Sequence, residues 1–210
     1  MMAELKIGRM VIGMYGTNCY LVYREGRQET IVVDPADKGE QIYEALREKG
    51  FTVCGILLTH GHFDHIWGTK ALRELSGAKI YALDAEVKLC EDDGCNVSRQ
   101  AGRPYTVVPD IYVRDGEEIC IADITCKVIA TPGHTADSCC YYFEEAGFLV
   151  CGDTIFFESV GRTDLPTGSG GTLERSIREK IFTLPDSVQL YPGHGDSTTV
   201  EHEKKYNPFF

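Results

Sequence analysis

The chain has 210 residues, of which 43% are hydrophobic and 25% charged, the composition of a globular domain. Its formal net charge of -11 argues against nucleic acid as a partner, because phosphate binding requires a basic surface. The first ten residues lack the apolar core of a signal peptide, and no apolar run approaches the roughly 18 residues of a membrane span. We therefore predict a single domain over residues 1–210, located in the cytoplasm and without membrane contact. The sequence gives no indication of the oligomeric state.

Strands separated by glycine-containing turns are predicted for the first third of the chain, over 5–12, 18–23 and 29–33. A helix over 40–49 ends at Gly50, a buried strand covers 53–58, and a helix is predicted over 66–76. Residues 85–110 are irregular and form a candidate partial lid over a site. Further strands are predicted at 79–82, 118–121, 125–130, 139–143, 147–151 and 188–191, and further helices at 172–183, capped by Thr172, and at 198–205. This mixed order predicts an α/β fold in which two sheets form a layered sandwich with helices outside.

Nine cysteines occur, an odd number with irregular spacing, and several lie in strand-like runs. We interpret them as mostly buried free thiols in a reducing cytosol. Cys90 and Cys95 are an alternative metal or redox pair. The adjacent Cys139 and Cys140 should point to opposite faces of a strand.

Three of the six histidines fall within six residues, as Thr59-His60-Gly61-His62-Phe63-Asp64-His65. This segment follows an apolar strand and precedes a helix, so it is a loop where binding residues tend to lie. In extended backbone His60 and His62 project to one side and can hold one ion, while Asp64 and His65 can reach a second. Gly61 would let the backbone bend close to the metal. Imidazole with carboxylate suits zinc, and also iron or manganese.

Three further candidate ligands each lie in a glycine-containing turn directly after a short strand. They are His134 in Thr-Pro-Gly-His, Asp153 in Cys-Gly-Asp, and His194 in Tyr-Pro-Gly-His-Gly. A single histidine in a turn is usually a surface residue, but three such turns beside a metal motif favour ligands. Asp34 is a similar strand-end carboxylate, predicted to accept the far ring proton of a ligand histidine, with a simple turn before Pro35 as the alternative. His202 is predicted to be solvated.

Together these motifs resemble the metallo-β-lactamase superfamily from about residue 5 onward, and within it the short glyoxalase II-like hydrolases. The stretches Ser159–Pro166, Tyr191–Gly195 and His202–Phe209 carry the resemblance to that subgroup. It implies an αββα sandwich of two mixed sheets with helices outside, with metals at one edge between the sheets. It also implies two divalent ions, most often Zn²⁺, with Fe or Mn as alternatives. By this resemblance His60, His62 and His134 hold the first ion, Asp64, His65 and His194 hold the second, and Asp153 bridges both.

The chain departs from the glyoxalase II pattern in three places. Ala136-Asp137-Ser138 replaces the usual Pro-Gly-Ser, Thr167–Gly170 lacks the usual acidic residue, and the additional C-terminal helical region that holds much of the glutathione does not follow. These departures concern the substrate rather than the metals. The β-lactamases of the superfamily generally lack an aspartate in the position of Asp153, so antibiotic hydrolysis is not the activity that the resemblance implies.

The predicted activity is hydrolysis of a small acyl-thiol, such as S-lactoylglutathione, by a hydroxide that bridges two metals. Asp64 and Asp153 are the predicted catalytic residues, and Arg162 is a candidate for binding an anionic part of the substrate or, equally, a structural loop residue. Alternatives are a persulfide dioxygenase with one iron on His60, His134 and Asp153, a lactonase or other ester hydrolase, and a non-catalytic metal-stabilised module.

Overall fold

Two six-stranded sheets face each other across the largest hydrophobic cluster of the protein, in a computed structural model that describes residues 3–210. The first sheet has its strands in chain order: β1 (Leu5–Ile12), β2 (Thr17–Arg24), β3 (Glu29–Val33), β4 (Thr52–Leu57), β5 (Lys79–Leu83) and β6 (Ile111–Val113). Its first three strands are antiparallel, and β3 to β6 run parallel.

The second sheet is mostly antiparallel and comprises β7 (Glu118–Ile121), β8 (Ile124–Ala130), β9 (Cys139–Phe143), β10 (Phe148–Gly152), β13 (Gln189–Pro192) and β14 (Thr198–Thr199). Its strand order is β14-β13-β10-β9-β8-β7, and β10 pairs parallel with β13. A small hairpin joins β11 (Ile155–Phe156) to β12 (Ser159–Val160).

Helices cover the outer face of each sheet. They are α1 (Gly39–Glu48), α2 (Phe63–Ile66), α3 (Thr69–Ser76) and α4 (Val87–Glu91) in the first half, and α5 (Gly170–Ser176) and α6 (Val200–Tyr206) in the second. No helix within residues 3–210 has the length and apolar character needed to cross a membrane.

The four layers follow from strands that are apolar on both faces. In β2, Tyr20 points into the core between the sheets, while Leu21 packs with Ile42 of α1. In β9, Cys139 points inward and Cys140 packs outward against the α5 side, which confirms that the two thiols lie on opposite faces. Because side chains alternate along a strand, an uninterrupted apolar run buries itself on both faces. The αββα sandwich predicted from the sequence is confirmed.

Some local predictions were wrong. The helix predicted over 66–76 is interrupted between α2 and α3, where the Gly68 N–H donates to the Pro35 carbonyl at 2.8 Å. Helix α5 begins after Ser169 rather than Thr172 and continues as a π-helical turn over Ile177–Ile181. Short strands β6, β11, β12 and β14 were not predicted.

All nine cysteines are free thiols, although Cys120 is exposed rather than buried. Cys90 packs against Gly61, where a Cβ atom would lie 2.9 Å from the Cys90 backbone nitrogen. Gly61 is therefore needed for the close approach of α4, a role that we did not predict for it.

Candidate metal centre

Ligand-type side chains converge at one edge of the sandwich because each follows a strand that ends there. Asp34 follows β3, the segment His60–His65 follows β4, His134 follows β8, Asp153 follows β10, and His194 follows β13. Strands from both sheets contribute, so the site lies between the sheets at their common edge.

Two groups of possible metal ligands form there, each with one ligand atom per residue within 4.8 Å of the others. The first ligand group is His60, His62 and His134, and the second ligand group is Asp64, His65 and His194. Asp34 with His60 and His65 forms a third group by the same distance criterion, which shares its histidines with the first two. Every metal ligand predicted from the sequence except Asp153 falls in one of these two groups.

Asp153 lies between the two groups. Its Oδ2 atom is 3.5 Å from His134 Nε2 of the first group and 3.6 Å from His194 Nε2 of the second, and its Oδ1 atom is 3.3 Å from His65 Nε2. A carboxylate in this position can contribute an oxygen to each of two ions, as its predicted bridging role requires.

The hydrogen bonds of the rings leave free nitrogens facing the centre. His134 Nδ1 bonds to the carbonyl of Arg162 at 2.7 Å, and His65 Nδ1 bonds to Asp34 Oδ2 at 2.9 Å. These acceptors require a proton on Nδ1, so Nε2 is the nitrogen of each ring that can bind a cation once it carries no proton; His134 Nε2 also lies 2.9 Å from His62 Nδ1. Among the described residues, the buried atoms without a hydrogen-bond partner include Nε2 of His60 and His65 and Oδ1 of Asp153. Buried polar atoms are rarely left unpaired. These three fit a bound cation, so the residues present fit a metal centre.

Asp34 orients histidines of both groups. Its Oδ2 atom accepts from His65 directly and from the Thr59 hydroxyl at 2.6 Å, while its Oδ1 atom accepts the Thr59 backbone N–H at 2.8 Å. Because the Thr59 hydroxyl gives its proton to Asp34, its oxygen is left to accept from His60 Nδ1, 3.0 Å away. One buried carboxylate therefore fixes the ring of His65 and, through Thr59, that of His60.

Burial and neighbouring charges shift histidine pKa values in opposite directions in the two ligand groups. Burial lowers the pKa of His60 well below its ordinary value and that of His62 to about 3, so both rings are neutral and able to bind a cation. Burial also lowers the pKa of His65, but Asp153, Asp64 and Asp34 outweigh it and hold that pKa well above its ordinary value. The second group therefore holds a proton that a metal ion would displace.

The turn that carries His194 is held by the first half of the chain. The Asn18 backbone N–H donates to the Gly193 carbonyl at 2.7 Å, and the Asn18 side chain donates to the carbonyls of Pro192 and Gly195. The neighbouring Thr17 donates its hydroxyl to Asp64 Oδ2 at 3.0 Å. Sequence reasoning missed these contacts, since those of the Asn18 side chain join residues 174 and 177 positions apart and that of Thr17 joins residues 47 positions apart.

Glu86 is a further residue near the ligands that sequence reasoning missed. Its buried carboxyl group accepts the Gly61 N–H at 2.8 Å and the Thr135 hydroxyl at 3.0 Å, and so joins the two turns that carry the first ligand group. Asn96 also accepts the backbone N–H of Phe63 through its carbonyl. Residues 85–110 therefore brace the loop that carries the ligands, and none of them lines the cleft above the site.

A cleft of about 360 Å³ opens above the ligands. Its wall outside the ligand groups is formed by Tyr15, Phe63, Phe156, Ser159, Val160, Arg162 and Leu165. The guanidinium of Arg162 is exposed and binds both carboxylate oxygens of Asp164 at 2.7 Å. His202 lies outside the site, stacked on Phe157 and bonded to Glu158, so it is less solvated than predicted.

A four-layer αββα sandwich with one group of three histidines and one group of an aspartate and two histidines at its edge defines a metal-dependent hydrolase of a known class. Residues 12–194 match the metallo-β-lactamase superfamily, and the chain belongs to that superfamily.

Among curated relatives, the probable metallo-hydrolase YqgX of Bacillus subtilis is 35% identical, over 98% of this chain and 97% of its own. The hydroxyacylglutathione hydrolase GloC of Haemophilus influenzae is 29% identical, over 91% of this chain and 92% of its own.

Solved structures show the same fold. The BLEG-1 B3 metallo-β-lactamase is 35% identical with a TM-score of 0.92, covering 97% of this chain and 99% of its own. TTHA1623 in a di-iron-bound form is 29% identical with a TM-score of 0.87, covering 97% of this chain and 100% of its own. ETHE1 from Myxococcus xanthus is 27% identical with a TM-score of 0.76, covering 97% of this chain and 83% of its own.

Proposed function

We propose that this metal-dependent hydrolase is a cytoplasmic, glyoxalase II-like thioesterase that cleaves a small acyl-thiol with two divalent ions. The observation that carries the proposal is the position of Asp153, whose two oxygens lie within 3.6 Å of histidine nitrogens from both ligand groups. A closed structural zinc site needs four ligands, whereas seven ligands beside an open cleft favour a catalytic centre. The relative named as a hydroxyacylglutathione hydrolase supports the thioester as substrate.

His60, His62 and His134 would hold one ion, Asp64, His65 and His194 the other, and Asp153 both. When bound, the ions would supply hydroxide near neutral pH and Lewis acidity at the substrate carbonyl. The chain's own part is to keep its rings in the correct tautomer through Asp34, Thr59 and the Arg162 carbonyl. Asp64 accepts from Thr17 and faces the cleft, where it can orient the attacking group. A thiolate leaves without much help from an acid, so no separate proton donor is required.

Zinc is the metal we propose, with iron and manganese as the alternatives. A di-iron form of one structural neighbour supports iron as a real competitor. Arg162 remains our candidate for an anionic group of the substrate, but its guanidinium would first have to leave Asp164.

The test is turnover of S-lactoylglutathione and of S-acetyl-N-acetylcysteamine, an uncharged thioester, by protein of measured zinc, iron and manganese content. We expect hydrolysis of at least one thioester with about two metals per chain. His60→Ala and Asp153→Ala should abolish turnover and lower the metal content, whereas His202→Ala, a histidine outside the site, should change neither. Full activity of either site variant would refute the site assignment.

A persulfide dioxygenase is the second candidate, favoured by the similarity to ETHE1. That reading needs one iron on His60, His134 and Asp153 and leaves Asp64, His65 and His194 without a role. Oxygen uptake by the iron-loaded protein with glutathione persulfide, and absence of thioester turnover, would establish it. Homoserine lactones should be tested as substrates in the same assays. A β-lactam should be tested as well, because the similar BLEG-1 protein is named a metallo-β-lactamase.

A further inference from the structure

The cleft wall offers almost no charge to a substrate. Apart from the ligand groups, five of the residues that line it are apolar or aromatic: Tyr15, Phe63, Phe156, Val160 and Leu165. The one basic side chain among the lining residues is Arg162, whose guanidinium already binds both oxygens of Asp164. The chain as a whole carries a net charge of -11.

These lining residues are poorly suited to bind the charged groups of glutathione. A glutathione thioester carries two carboxylates at neutral pH, and carboxylates are bound mainly by arginine forks, lysines or backbone N–H groups. Binding one of them at Arg162 would mean displacing Asp164, a like-charged competitor tethered two residues away. An uncharged substrate arm meets no such cost, and it gains from contact with the aromatic wall.

A second cavity of about 410 Å³ adjoins the cleft, and Val160 and Arg162 line both. Its walls include the apolar side chains of Leu173, Ile177, Phe209 and Phe210, with Glu174 also at its edge. Between this cavity and the metal centre lies Gly161, which packs on the Asp153 carbonyl and leaves no room for a side chain. The second cavity is therefore only one backbone thickness from the ligands.

Building on the proposed thioesterase function, we propose that the natural substrate is a thioester with an uncharged, apolar arm. The reacting carbonyl lies at the metal centre, and the arm passes Val160 and Arg162 into the second cavity. Each methylene group that is buried from water raises the binding affinity about fourfold. An arm of medium length would therefore determine the specificity.

Two substrate series test this on the metal-loaded enzyme. The first varies the acyl group on N-acetylcysteamine from acetyl to octanoyl, and the second keeps acetyl and varies the thiol from N-acetylcysteamine to octanethiol. We expect kcat/KM to rise at least tenfold along one series, which also identifies which side of the thioester forms the apolar arm. A flat response in both series, or S-lactoylglutathione turned over tenfold faster than every uncharged thioester, would overturn the proposal.

Two variants locate the arm. Glu174→Trp should fill the cavity and Phe209→Asp should place a charge on its wall, and each should reduce the long-to-short ratio of kcat/KM at least fivefold. The matched control is Arg175→Trp, an exposed neighbour on the same helix that does not line the cavity. If both cavity variants keep the ratio of the unmodified enzyme, the cavity assignment is wrong. Absence of turnover with every thioester would instead refute the thioesterase function itself.

Discussion

Replacing Glu86 by glutamine tests how a buried ionisable group affects the free energy of unfolding. The carboxyl group of Glu86 joins the two turns of the first ligand group. Burial raises the pKa of Glu86 from 4.5 to about 8, and the bonds from Gly61 and Thr135 only partly oppose it. The folded protein therefore keeps this proton up to about pH 8, whereas the unfolded chain releases it near pH 4.5. Since the folded state then binds more protons, the contribution of Glu86 to stability falls as pH rises between these values.

At about 1.36 kcal/mol per pH unit, this loss amounts to about 5 kcal/mol above pH 8. Glutamine can still accept from Gly61 and donate to the Thr135 hydroxyl, but it cannot ionise. We expect metal-free Glu86→Gln to match the parent near pH 5 and to exceed it by roughly 3–5 kcal/mol at pH 9. Urea unfolding at both pH values measures the difference, with the exposed Glu91→Gln as control.

A Glu86→Gln difference that does not change with pH would refute this reasoning. Glu86→Ala extends the test to function, because it leaves the Gly61 N–H and the Thr135 hydroxyl without their acceptor. It should lower the occupancy of the first ligand group, measured as metal content per chain after dialysis.

Three further predictions concern the metal centre. Asp34→Asn deprives the His65 ring of its acceptor and should weaken metal binding 10- to 100-fold in a chelator competition; unchanged affinity would contradict the role of Asp34. Gly193→Ala places a Cβ atom 2.6 Å from His65 Cε1 and in overlap with Asp153 Oδ1, so metal content and turnover should both fall, and a fully active variant would refute this. Carboxylates hold the pKa values of both histidines of the second ligand group above the ordinary range, after outweighing burial, so protons compete there first. Metal analysis at stepwise lower pH should find one ion lost before the other, and simultaneous loss would count against it.

The sequence was sufficient to find the candidate ligands because their signal is local. Each ligand of the second half follows a short apolar strand and lies in or beside a glycine turn, and His60 to His65 form one continuous motif. Strand ends that share a sheet edge bring such turns together without any long-range information. The four layers of the fold could also be predicted, because sheets with strands that are apolar on both faces must be covered on both sides.

Glu86 had no such signal. It lies in a charged segment without apolar periodicity, and its hydrogen bonds join it to Gly61 and Thr135, which are 25 and 49 positions away. The break at Gly68 is similar, because nothing in residues 66–76 indicates that the Gly68 N–H will donate to the carbonyl of the distant Pro35. These features depend on contacts between distant parts of the chain, which residue patterns do not record.

The bonds from Asn18 to the turn of His194 have a consequence for the order of events during synthesis. The hairpin of β1 and β2 leaves the ribosome well before its partner turn exists, because Asn18 and Pro192 are 174 positions apart. Until then a nascent chain can complete the first ligand group, but Asp64 and His65 lack their third partner. In the proposed two-metal site, a second ion would therefore be bound only when the two halves dock. Occupancy of that position would report the completion of folding, and a chain released prematurely would carry a single ion.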